Sequence, residues 1–156
     1  LRVDIVPMDL TPILKDSISA VKPIAKKKGI KFVFMPPSQP CKVQGDVSAL
    51  QQVFINLLSN AVKFSPEESE VLIRVERLEN EMRISIVDSG LGIPTDALPY
   101  LFDRFYRARN VTAADIPGSG IGLFIVKSIL QELGGAIMVD SKLNAGTTFT
   151  ISLRKG

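Results

Sequence analysis

Between residues 71 and 88 apolar and polar positions alternate with a period of two. Val71, Ile73 and Val75 are interleaved with Arg74 and Glu76, and Ile84 and Ile86 with Arg83 and Ser85. That period marks half-buried strands, and Asn80-Glu81 between the two runs supplies a hairpin turn. Residues 136–141 and 147–154 predict two more strands, residues 30–35 another that Pro36-Pro37 ends, and residues 2–6 a short opening one.

Helical spacing predicts the remaining elements. A helix over residues 11–28 starts with Thr11 as N-cap and Pro12 at the first helical position, and Gly29 stops it. Pro23 is expected to kink or interrupt it. Lys26, Lys27 and Lys28 fall in its last turn, where cations favour the helix dipole. A second helix opens at Gly45-Asp46 and runs to about Phe64. A short one covers residues 96–101, and a mostly apolar one covers residues 121–133 before Gly134-Gly135. Residues 103–119 have no period, and so long a loop in a compact domain is usually functional or disordered. The sum is one α/β domain over residues 1–156. It is expected to be a two-layer α/β sandwich, its mixed, mostly antiparallel sheet covered on one face by three main helices.

One helix carries unusual polar residues. At about 100° per residue, Gln52, Asn56, Asn60 and Lys63 lie within about 40° of one line. Leu50, Val53, Phe54, Leu57, Ala61 and Phe64 occupy another sector. A solvated helix face is normally Glu, Lys and Arg; asparagine is a poor helix former. Two readings stand for the amides: they tie down neighbouring loops, or their oxygens serve as hard ligands for magnesium, with Lys63 reaching phosphate.

Asp88 shares the parity of Ile84 and Ile86, so its carboxylate faces the helices. Such a group is costly unless paired or hydrogen-bonded. It either closes an Asx-type turn with Ser89-Gly90 or accepts from a ligand donor such as the exocyclic amine of adenine. Gly90 and Gly92 let backbone approach a flat ring. Thr147, on the parity of Phe149, Ile151 and Leu153, also faces inward and is placed to hold a water between Asp88 and a base.

Gly118, Gly120 and Gly122 lead into a helix, whose free N-terminal amides attract phosphate. No parallel βαβ unit surrounds them, so a dinucleotide-binding fingerprint is rejected. Before them Phe102, Phe105 and Tyr106 alternate with Arg104, Arg107 and Arg109. The phenylalanines are expected to fill the core rather than touch a ligand, while an arginine reaches phosphate or a protein substrate.

Composition narrows the chemistry. The net charge of +3 and pI near 9.1 suit a polyphosphate but are too small to argue nucleic-acid binding. Cys41 is the single cysteine, which excludes an internal disulfide and fits a reducing compartment. With no histidine, this chain has no histidine acid–base chemistry. No uninterrupted apolar run reaches the ~18 residues of a membrane span, and no membrane contact is expected. The chain opens on Leu1 without a signal-like leader and reads as a piece of something longer.

These residues, taken together, resemble the sensor histidine kinases. Gln51 to Ser65 resembles their N box, Asp88 to Gly92 their G1 box, Leu101 to Arg107 their F box, Gly118 to Leu123 their G2 box, and Gly146-Thr147-Thr148-Phe149 their closing Gly-Thr motif. The resemblance covers almost the whole chain. It implies the Bergerat ATP-binding fold, with ATP and Mg2+ as ligands. Asn60 becomes the principal magnesium ligand, with Asn56 assisting on metal or phosphates and Lys63 on phosphate. Asp88 takes the adenine amine, Gly90 and Gly92 shape the base pocket, and Thr147 supports it. Gly118, Gly120 and Gly122 let a lid close. Ile93, Ile121 and Leu123 join the nucleotide contacts, and the carry-over extends to Arg104 and Tyr106.

Asn56 occupies the position where ATPases of the wider superfamily, and the related anti-sigma serine kinases, have glutamate as general base. An amide cannot usefully accept a proton, which disfavours intrinsic hydrolysis. The chain departs from the family at Leu133, where many relatives have histidine, and near Asn144, where they have an earlier glycine. The resemblance further implies transfer of the γ-phosphoryl to a histidine on an upstream dimerisation domain, and then to a response-regulator aspartate. The isolated domain is expected to be monomeric and cytoplasmic, to bind ATP and to be unable to phosphorylate itself. A serine kinase and a nucleotide-sensing module without transfer activity are the alternatives.

Overall fold

A computed structural model describes residues 2–114, 116 and 118–156. Asp115 and Pro117, within the stretch read as an aperiodic loop, lie outside the described residues, as does Leu1. Two strands, β1 (Val6–Asp9) and β3 (Lys42–Gly45), pair antiparallel in a small sheet. The main sheet has the order β2 (Lys31–Phe34), β4 (Glu70–Arg77), β5 (Glu81–Asp88), β7 (Thr147–Arg154) and β6 (Ala136–Ser141). Only the β2–β4 pair in it is parallel; the other pairs are antiparallel. The helices α1 (Leu10–Lys27), α2 (Val47–Phe64) and α4 (Gly122–Glu132) form the second layer, and α3 (Arg109–Ala113) is a short turn of helix that precedes α4 in the chain. The two-layer α/β sandwich is therefore present as the sequence pattern predicts.

The alternation of β5 and β7 decides where the core lies. Met82, Ile84, Ile86 and Asp88 are buried on β5, and Phe149, Ile151 and Leu153 with Thr147 on β7. The register sets Asp88 directly opposite Thr147 and Ile86 opposite Phe149. Above this face α2 is the central helix: Phe54, Leu50 and Leu58 are fully buried, between α1 on one side and α4 on the other. Truncating a ring as enclosed as that of Phe54 costs about 3–5 kcal/mol.

Several boundaries differ from the pattern. The first strand lies at Val6–Asp9, ending three residues later than the expected residues 2–6, because it pairs with β3, an element the sequence did not announce. The N-cap of α1 is Asp9 rather than Thr11. Its Oδ1 accepts from the Thr11 and Cys41 amides, both at 3.2 Å, so one carboxylate caps the helix and holds the chain entering β3. Pro12 still falls in the first turn, where a missing N–H costs no helical bond. Pro23 does not interrupt α1, which runs to Lys27. The expected helix over residues 96–101 is a 3-10 turn over Thr95–Tyr100, and α3 lies inside the stretch read as a loop. No helix among the described residues is long and apolar enough to cross a membrane.

Candidate functional site

Between α2, the ends of β5 and β7, and the loop entering α4 lies a cavity of about 430 Å³. The α2 stripe forms one wall: Gln52, Asn56, Asn60 and Lys63 all line it. The helix folds this way because its apolar sector is claimed by α1, α4 and the sheet, leaving the polar sector over the gap. Asp46 starts it as N-cap, accepting from the Ala49 amide at 3.0 Å and the Asp4 amide at 2.8 Å. Those donors hold the Asp46 carboxyl below its ordinary range. At the other end Lys28, the residue that follows α1, donates from Nζ to the Val62 and Lys63 carbonyls, both at 2.9 Å. One of the three lysines read as stabilising their own helix thus caps the helix beside it.

Asp88 forms the inner end of the cavity at 8% exposure. Oδ1 accepts from the Gly90 amide at 2.8 Å and the Thr147 amide at 3.2 Å. Oδ2 receives no hydrogen bond from the described residues. Burial raises the pKa of the carboxyl, opposed by the Gly90 and then the Thr147 amide. The two readings of this acid divide between its oxygens: Oδ1 closes the Asx-type turn, and Oδ2 remains an acceptor.

The glycines differ in what they do. Gly90 does not line the cavity; a Cβ there would meet the Phe64 carbonyl, and its absence lets the loop sit on the end of α2. Gly92, at φ +70°, lines the cavity, and a Cβ would fall on the Lys142 carbonyl oxygen. Gly120, at φ +76°, lies against the backbone of Phe105, whose amide donates to the Gly120 carbonyl at 2.9 Å. Gly118 and Gly122 have open space where a side chain would be. The first turn of α4 has no side-chain cap, so its amides are free to face the cavity that Gly122 and Leu123 line.

Ile93, Tyr106, Ile121 and Thr147 line the cavity. Arg104 does not. Its guanidinium sits 4.6 Å from the ring centroid of Phe124, beside a separate hollow that Lys127 and Gln131 share. Arg107 lines the cavity instead and hydrogen-bonds the Ile116 carbonyl. Phe102 meets the expectation of core packing, edge-on to Phe149 at 6.4 Å. Phe105 does not: it is 65% exposed, with φ +67°. Its backbone conformation, imposed by the contact with Gly120, turns the ring outward. Asn56 also makes a protein contact, Nδ2 donating to the Gly122 carbonyl at 3.4 Å, whereas Asn60 makes no side-chain hydrogen bond among the described residues.

Residues the pattern did not single out complete the Asp88 end of the cavity. Ser141, on β6 opposite Thr147, connects Ile93, Gly146 and Thr147. Asn110 on α3 donates to the Gly92 carbonyl at 3.0 Å. Neither carries a sequence signal, because both contacts depend on chain segments brought together from afar.

Residues 45–156 match the family described as histidine kinase-, DNA gyrase B-, and HSP90-like ATPase. The chain is 34% identical over 159 aligned positions to the sensor protein GacS of Pseudomonas syringae pv. syringae, covering 99% of this chain and 18% of that protein. It is 36% identical to the sensor histidine kinase WalK of Bacillus subtilis, over 83% of this chain and 22% of WalK. The chain thus spans about a fifth of the length of these relatives. Among solved structures, the mycobacterial sensor histidine kinase MprB superposes with a TM-score of 0.84 at 32% identity, over 97% of this chain and 98% of that one. Full-length ShkA in complex with AMPPNP superposes at 0.83 and 27% identity, over 100% of this chain and 32% of that one.

Proposed function

The chain belongs to the histidine kinase-, DNA gyrase B- and HSP90-like ATPases and, within them, to the sensor histidine kinases; on that premise we propose how its cavity is used. It is a catalytic ATP-binding domain of that type. ATP enters with its adenine amine on Asp88 Oδ2 and its phosphates along the side of α2 that carries Asn56, Asn60 and Lys63. The observation that carries this reading is the half-used carboxylate: a buried acid with one oxygen held and the other open toward a cavity needs a donor from outside. AMPPNP in the similar ShkA supports a nucleotide as the occupant.

The donor set also fits a magnesium ion. The described residues include no cluster of three acids, histidines or cysteines able to cage a metal. Asn60 offers a free amide oxygen on the cavity wall, and Asn56 another one turn before it. Magnesium is commonly held by one or two protein oxygens together with phosphates and water. A magnesium ion held by these amides would neutralise charge on the phosphates. The chain's own part is positioning: Lys63 and the open first turn of α4 draw the phosphates, and Arg107 stands beside them.

Asp88 is the only carboxylate among the described residues lining the cavity, and it sits at the base end. No general base therefore stands at the phosphate end, where Asn56 is an amide. This supports phosphoryl transfer to a nucleophile activated elsewhere over hydrolysis of ATP. The acceptor is a histidine on an upstream dimerisation domain, since this chain has none, and a response-regulator aspartate receives the phosphoryl next. The domain works in the cytoplasm, as a monomeric unit beside that dimerisation domain.

Incubation with radiolabelled ATP and a helical hairpin bearing the parent's histidine tests the transfer. Acid-labile label on the hairpin is expected. Label on serine would make the protein a serine kinase, and bound ATP with no label anywhere would make it a nucleotide-sensing module.

A further inference from the structure

Ser141 ends β6 directly opposite Thr147, and its hydroxyl has three polar neighbours. The Ile93 amide donates to its Oγ at 2.8 Å. The Gly146 carbonyl lies at 2.9 Å and Thr147 Oγ1 at 2.8 Å. A serine hydroxyl has one proton to give, and a carbonyl oxygen only accepts. The Ser141 proton therefore goes to Gly146, and the contact with Thr147 is a hydrogen bond only with Thr147 as donor. Thr147 then has no proton left for the cavity it lines. Its Oγ1 presents lone pairs alone.

The surrounding groups have the same polarity. Asp88 Oδ2 accepts, and Oδ1 is occupied by two amides. The nearby backbone donors are already used: the Gly90 and Thr147 amides by Asp88, the Leu91 amide by the Phe64 carbonyl, the Ile93 amide by Ser141 and the Gly146 amide by the Gly90 carbonyl. The inner end of the cavity thus calls for a ligand that donates.

We propose that Ser141 is a specificity-determining positioning residue, which locks the Thr147 hydroxyl as an acceptor so that the site takes a 6-amino purine and rejects a 6-oxo purine. Ser141 touches no ligand itself. It acts by orienting Thr147, whose Oγ1 takes the second proton of the 6-amino group directly while Asp88 Oδ2 takes the first. A 6-oxo group brings lone pairs against lone pairs, leaving two acceptors facing each other in a desolvated place. Sites built to receive an N–H reject analogues lacking it strongly. The inference rests on the placement of the adenine at Asp88 proposed above.

Calorimetric titration of this chain with magnesium ATP and magnesium inosine triphosphate tests it. In Ser141→Ala the Thr147 hydroxyl is free to turn and donate to a 6-oxo group. The preference for ATP over inosine triphosphate is expected to fall about tenfold, the equivalent of about 1.4 kcal/mol, and Ser141→Thr is expected to keep it. A merely structural role, through the orphaned Ile93 amide, weakens both nucleotides alike and leaves the preference unchanged; that result overturns the proposal. Should Ser141→Ala fail to fold, Thr147→Val decides: it leaves Ser141 tied to Ile93 and Gly146 and must lose the same preference, and an unchanged preference again overturns it. Asp88→Asn separates the two levels. Unchanged ATP affinity there overturns the adenine placement itself, whereas lost affinity with an unaltered preference in Ser141→Ala overturns the role of Ser141 alone.

Discussion

Asp88 and Thr147 face each other across the β5–β7 register, and the Thr147 amide donates to Asp88 Oδ1 at 3.2 Å. This pairing holds the acid in place while burial disfavours its charge, raising its pKa above the ordinary 3.8. The folded protein therefore keeps a proton at pH values where the unfolded chain has lost it. The stability associated with that proton is fully present below the ordinary value and fades as pH rises through the raised one. Asp88→Asn keeps an oxygen for both amides and removes the buried charge. Thermal melts at neutral pH are expected to show a Tm equal to or above that of the parent, with a flatter pH dependence above about pH 4. ATP affinity is expected to drop about tenfold or more. In the parent, ATP affinity should weaken on acidification through the raised pKa, earlier than for an ordinary carboxylate.

The glycines that line the cavity are not equivalent. Gly92 and Gly120 have left-handed backbones against other main chain, while Gly118 has open space. Gly92→Ala and Gly120→Ala are each expected to cost at least about 1–2 kcal/mol in urea unfolding. Gly118→Ala should leave the urea midpoint unchanged. Equal effects at all three positions would contradict the backbone assignment.

Lys28 caps a helix it does not belong to. Lys28→Met retains the aliphatic stem and removes the cation from the Val62 and Lys63 carbonyls. A loss of about 1–2 kcal/mol is expected from the helix end and its charge-assisted bonds, read by thermal melt. ATP affinity should weaken with it, because the same turn presents Asn60 and Lys63.

At the opposite end of α2, Asp46→Ala removes the N-cap and is expected to cost about 1 kcal/mol. The donors on Asp46 depress its pKa. Its contribution is present above the ordinary carboxylate range and is lost as pH falls through the lowered value. The difference between parent and Asp46→Ala should therefore shrink in acid.

What the sequence revealed followed from local periodicity. The alternation ending in Asp88 and the one beginning at Thr147 each point inward along a single strand, and the α2 stripe repeats along a single helix. The hidden features are non-local. The strand Lys42–Gly45 is too short to show a period, and its partner lies far back in the chain. Asp9 prevailed over Thr11 as N-cap because it also binds the Cys41 amide. Phe105 looks apolar and core-bound, but Gly120 fixes its backbone so that the ring points out. Ser141 is one serine among several until β6 and β7 pair. Arg104 and Arg107 are indistinguishable by pattern; only the fold sends one to Phe124 and the other to the cavity.

The central claim is that Asp88 Oδ2 receives the exocyclic amine of adenine. The direct measurement is a four-way calorimetric cycle: the chain and its Asp88→Asn variant, each titrated with magnesium ATP and with magnesium purine riboside triphosphate, which lacks the amine. The account predicts that the parent loses about tenfold or more in affinity when the amine is absent, and that Asp88→Asn loses far less. If removing the amine costs both proteins the same factor, acid and amine do not meet, and the nucleotide lies elsewhere or the other way round.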